Sequence, residues 1–171
     1  MLLIVFTLAI IIGISVWLIK CNNQFVIDVN NIKKEKSRVN TVRQKYLKIQ
    51  NKTLIMAGKA MNNESKAKAQ LMNNSRISTD RLLALGQQYP ELQSQFDRSA
   101  EIIDRLYSEY QSAQEELNET ITAFNSKIGQ FPKSLAAKIL GYKQTRIIGE
   151  EHLEEAMKVE FEKDLSGDEY L

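Results

Sequence analysis

Hydrophobic and polar positions divide the chain into one uniform stretch followed by several striped ones. Leu2 to Ile19 is an apolar run of about eighteen residues without a charge. At ~1.5 Å of rise per residue it reaches roughly 27 Å as a helix, close to the hydrocarbon thickness of a bilayer. Beyond it the apolar positions turn periodic. Phe25, Val29, Ile32, Val39, Val42, Tyr46, Ile49, Thr53, Met56 and Ala60 recur mostly at steps of three and four, with Lys36 interrupting the stripe. Such spacing predicts a long amphipathic helix, one that can run on from the apolar segment without a break.

The pattern weakens at Asn62-Asn63 and at Asn73-Asn74-Ser75, where a bend and a loop are expected. Asp80 is a candidate cap for the run Arg81 to Leu85, and Tyr89-Pro90 closes that short helix. In the next helix Ile103, Tyr110, Leu117, Phe124 and Phe131 are spaced by sevens. A second row, Leu106, Ala113, Ile121 and Ile128, drifts beside it. The drift is that of a straight 3.6-residue helix in a globular bundle. Pro132 is expected to end this helix, and Ser134 to Leu140 forms a short one whose terminating left-handed residue is Gly141. The fold class is therefore all-α: a transmembrane helix over residues 1–20, an antiparallel four-helix-type bundle over 21–142, and a tail over 143–171.

Composition agrees with a few long elements. Seven glycines and two prolines in 171 residues leave little material for the turns of a many-stranded sheet. One cysteine, Cys21, precludes an intramolecular disulfide framework and reads as a buried or interfacial thiol.

Charge supplies the orientation. Trp17 and Lys20 stand at the end of the apolar run, an indole for the interface and an ammonium able to reach the headgroups, so Leu2 to Ile19 with these two reads as the membrane anchor. A cleaved signal peptide needs a basic segment before the apolar run and a small-x-small site after it. Nothing basic precedes Leu2 except the terminal amine, Leu18-Ile19-Lys20 is a poor cleavage site, and Lys20 blocks the small residue that lipidation at Cys21 requires. Between Lys20 and Lys52 nine basic residues face only Asp28 and Glu35. By the positive-inside rule, the amino terminus lies outside and the body in the cytoplasm. These lysines are candidates for anionic headgroups, although for Lys45 onwards a solvated helix face is the simpler reading. Nucleic acid is a poor partner, since no stacking aromatics interleave the basic stretch.

Catalytic constellations are missing. His152, the single histidine, has Gly149 where a di-iron Glu-x-x-His pair requires glutamate. Neither HExxH, a phosphate-cradling glycine loop, nor a nucleophile paired with histidine occurs. No catalytic, cofactor or metal residue is assigned, and Glu115-Glu116 and Glu154-Glu155 read as solvated faces. Past Gly149 nine acidic residues face two lysines. Leu153, Met157, Phe161 and Leu165 recur every four there, so this acidic tail reads either as an amphipathic helix that docks on the bundle, recruits a partner or forms only on binding, or as a mobile tail.

The segments Tyr89-Pro90-Glu91-Leu92, Leu117-Asn118, Ile121, Phe124-Asn125, Ile128, Phe131-Pro132, Ala137 and Gly141-Tyr142 resemble the LemA family of bacterial membrane-anchored proteins. Spacing from Leu117 to Tyr142 is kept with conservative changes. The amino-terminal half matches at Asn30, Lys45-Tyr46, Ile49 and Asn51, and departs where Gln50 replaces the family's proline. The resemblance implies one amino-terminal transmembrane segment, a helical bundle, and no catalytic residues to carry over. Asn118 and Asn125, seven apart beside the apolar stripe, are read as amides bonding across the bundle to fix its register, with a partner-binding ladder as the alternative. Functionally, the expectation is a single-pass interaction or scaffold module of the bacterial envelope, binding the lipid bilayer and other proteins through the bundle or the tail. A phage-type lysis or envelope-spanning coiled-coil protein, its body outside the cytoplasm, is the other class that fits.

Overall fold

The computed structural model describes residues 1–73 and 76–147. Helix α1 (Leu2–Met61) is followed by α2 (Glu64–Leu71), the two-residue strands β1 (Met72–Asn73) and β2 (Arg76–Ile77), and α3 (Thr79–Gln88). A 3-10 turn at Pro90–Leu92 leads into α4 (Gln93–Gly129), and α5 (Lys133–Leu140) comes last. The fold is all-α, with one antiparallel β-ladder among the described residues, in which Met72 pairs with Ile77 and Asn73 with Arg76. Of the acidic tail, residues 148–171 lie outside the described residues, as does His152. Residues 142–147 are not helical.

The apolar run and the striped segment behind it are one uninterrupted helix. With Gln50 where the family has proline, the backbone N–H is kept at that position, and the helix runs on unbroken to Met61. The helix stops where Asn62 takes a left-handed φ of 50°, a conformation asparagine tolerates better than most residues. The Asn63 amide then bonds back to the Gly58 carbonyl at 3.0 Å, closing the last turn. Asn63 also starts α2, its side-chain oxygen accepting from the Lys66 amide at 2.9 Å. The expected bend is thus two caps back to back, and the helix after it was not foreseen.

The chain divides into two compact units. One takes Met1–Ser37 and Glu115–Ile147; the other is built on Arg38–Gln114. In the second, Tyr46, Leu47, Leu54 and Ala57 of α1 meet Ala67 and Leu71 of α2, and Ile77, Leu82 and Leu85 pack with Phe96, Ala100, Ile103 and Leu106 of α4 in the same core. Arg81 fastens α3 to the end of α2, its guanidinium donating to the carbonyls of Gln70 and Met72. Arg76 lies 3.9 Å above the Tyr107 ring and 3.7 Å from the Asp104 carboxylate, which ties β2 to α4. Buried Gln50 donates to the Tyr46 hydroxyl at 2.9 Å. Burial raises the Tyr46 pKa far above the ordinary tyrosine value, with Arg76 opposing, so the phenol stays neutral.

Three local expectations are corrected. Ser78, not Asp80, caps α3: its hydroxyl accepts from the Arg81 amide at 3.5 Å, and Asp80 sits in the first turn. Helix α4 ends at Gly129, three residues before Pro132, which instead precedes α5 as its cap residue. Phe131 consequently lies beyond the helix that set the seven-residue spacing, and it is 80% exposed where the ladder placed it in the core. Gly141 takes the expected left-handed conformation, φ 78°, and the Tyr142 amide closes α5 on the Ala137 carbonyl at 2.9 Å.

The two phenylalanines give opposite forecasts. Phe96→Ala removes a fully buried ring and should cost about 3–5 kcal/mol. Phe131→Ala should change stability by less than about 0.5 kcal/mol. Denaturant unfolding of the two variants in detergent checks the contrast, and equal losses would return Phe131 to the core.

Candidate functional site

The first unit gathers most of the carboxy-terminal signature onto the stretch of α1 directly after the apolar run. Phe25 is fully buried, five residues past Lys20. Its ring centroid lies 6.5 Å from that of Phe124 and 5.0 Å from that of Tyr142, with interplanar angles of 87° and 61°. Phe124 and Tyr142 are themselves 6.5 Å apart at 71°. All three pairs set the edge of one ring toward the face of another, where the electropositive rim meets the electron-rich face. Ile121, Ile128, Ala136 and Ala137 are buried in the same unit.

Polar contacts fix the register of this cluster. The Tyr142 hydroxyl donates to the Asn22 side-chain oxygen at 3.0 Å. Lys127 reaches the Asp28 carboxylate at 2.8 Å, and Gln24 donates to the same oxygen at 3.3 Å. Asp28 is 8% exposed, so the ammonium offsets a charge that burial would otherwise penalise. The Asn125 amide donates to the Thr145 carbonyl and accepts from the Thr145 amide, both at 2.8 Å. That pair is the geometry of one step of a β-ladder supplied by a side chain, and it holds the segment after Gly141 against α4. The bonding across the bundle expected of Asn125 is therefore replaced by a bond to the returning chain, because the residue sits beside the buried stripe and not on it.

The remaining signature residues fall elsewhere. Tyr89 is half-buried against the core of the second unit, and exposed Pro90 opens the 3-10 turn. Asn118 is half-buried and lines a shallow surface depression of about 530 Å³ with Glu115, Glu119, Thr122 and Ala123. Pro132 is exposed. Of the residues expected to form the anchor, Leu2, Ile19 and Lys20 are exposed and Trp17 is half-exposed. One turn after Trp17, Cys21 is buried, as expected. Among the described residues no three His, Cys, Asp or Glu side chains converge in a group able to hold a metal ion.

Sequence reasoning left out Asn22, Asp28, Lys127 and Thr145 as members of this cluster. Asp28 carried a usable signal: an acidic residue standing nearly alone in a basic stretch invites a search for its partner. Thr145 carried none, since only the fold brings it to Asn125.

An apolar amino-terminal helix long enough to cross a membrane, continued into an all-α bundle whose far end is clamped back onto it, defines the class of protein. The chain belongs to the LemA family, whose model matches residues 20–161. The match begins where the apolar run ends. Comparison with curated proteins and with solved structures gave no match.

Asn125→Ala should release the segment after Gly141 without unfolding α4. Loss of about 1 kcal/mol of hydrogen bonding should speed amide exchange at Thr145 by roughly fivefold. Unchanged exchange at Thr145 would show that the segment is held by other contacts.

Proposed function

We propose that this chain is a single-pass protein of the bacterial cell membrane whose helical bundle is a non-catalytic interaction or scaffold module. The observation that carries the reading is the first stretch of α1. It has no charge from Leu2 to Ile19, its apolar side chains are exposed to the surroundings, and it continues without a break into the bundle. Exposed apolar surface all around a helix is costly in water and favourable in hydrocarbon. Membership of the LemA family supports the same architecture.

The bundle lies in the cytoplasm and Met1 outside. Lys33, Lys34, Lys36 and Arg38 follow the anchor with only Glu35 among them, a basic excess that supports a cytoplasmic flank. The lipid bilayer is the first partner, and other proteins are recruited through the bundle or the acidic tail. No chemistry is assigned to the module, whose polar contacts described above serve to fasten one chain segment to another.

Sidedness is tested by labelling a cysteine introduced at exposed Gln130, in a Cys21→Ala chain, with a membrane-impermeant maleimide. No labelling in intact cells and full labelling after permeabilisation are expected. Labelling in intact cells would place the bundle outside the cytoplasm and favour the envelope-spanning class.

A further inference from the structure

We infer that α5 is a second membrane contact, an interfacial helix lying on the same bilayer leaflet from which the bundle emerges. The inference rests on the anchor reading and adds a site to it. Helix α5 turns Ala136 and Ala137 inward and leaves Leu135 and Ile139, one turn apart, 50% and 68% exposed. Phe131, just before the helix, adds an 80% exposed ring. These apolar side chains stand among exposed Lys133, Lys138, Lys143 and Arg146. From Thr120 to Gly149 the sequence contains no aspartate or glutamate. An exposed apolar face on a segment whose own charges are all cationic has the chemistry of a segment that rests on anionic lipid.

Position within the unit selects lipid as the occupant. The stretch carrying α5 is tied to α1 at both ends, through Phe124 on Phe25 and Lys127 on Asp28 before it, and through Tyr142 on Asn22 and Phe25 after it. Asn22 and Asp28 follow Lys20 by two and eight residues, or roughly 3 and 12 Å along the helix axis. A bilayer's polar interface is about 5–8 Å deep on each side. Helix α5 is only about 12 Å long, so the clamp keeps its apolar face within reach of the headgroup boundary. A soluble partner is not needed to cover that face.

The test uses the full chain with Cys21→Ala and a nitroxide on Ile139→Cys, reconstituted in vesicles of phosphatidylcholine and phosphatidylglycerol. A label at exposed Leu83→Cys, in the other unit, serves as the aqueous reference. Flotation with the vesicles reports the anchor separately. The expected result is loss of collision with a water-soluble nickel chelate at position 139, with collision with oxygen retained, while position 83 stays open to nickel. Equal nickel access at both positions in floating protein would overturn the interfacial role and leave the anchor intact. Protection from both reagents at 139, with dipolar broadening between labels, would assign the face to a second copy of the chain and overturn the proposal. Failure to float would overturn the anchor and, with it, this inference.

Discussion

The first unit depends on the meeting of Phe25, Phe124 and Tyr142. Phe25 comes from α1 just past the apolar run, Phe124 from α4, and Tyr142 from the residue after the left-handed stop of α5. Each ring belongs to a different element, so the cluster forms only when all three are in place. Around it, bonds of differing chemistry make the arrangement specific: a hydroxyl on Asn22, an ammonium on Asp28, an amide on Thr145. Apolar burial drives such an assembly, while directional polar contacts select one register among several that would bury similar area.

Continuity of α1 ties that local clamp to the apolar run that precedes it. A helix cannot bend freely between Ile19 and Asn22 without losing backbone hydrogen bonds, and α1 keeps them throughout. The aromatic cluster is therefore held close to the apolar run by helical rise alone. In the second unit the linking forces differ. There Arg76 bridges a hairpin strand to α4 through Tyr107 and Asp104, and a buried Tyr46–Gln50 pair places a polar contact inside an otherwise apolar core. The phenol can sit there only because it remains neutral, since a phenolate would face the full penalty of desolvation.

Much of this was legible in the stripes. Long runs at steps of three and four located α1 and α4, and Gly141 marked the end of α5 because a left-handed residue there has little steric cost only in glycine. Helix α2 and the two strands escaped. In α2, Ala67 and Leu71 are buried one turn apart, too sparse a signal to separate from a loop, and a two-residue strand has no period to detect. Phe131 was misplaced by extending a seven-residue spacing one step beyond the last turn of its helix. Ser78 and Asp80 are both capable caps two residues apart, and propensity alone does not choose between them. The candidate cluster was half visible: its aromatic members stand out in the sequence, whereas contacts such as Asn125 with Thr145 exist only once the chain has turned back.

The central claim is that the carboxy-terminal signature acts as one packed unit with the stretch of α1 directly after the apolar run. A double-mutant cycle on Phe25→Leu and Tyr142→Leu, with unfolding of the full chain followed in detergent, tests it most directly. A coupling of about 0.5–1.5 kcal/mol between the two sites is predicted from their edge-to-face contact. Strict additivity of the two losses would contradict it.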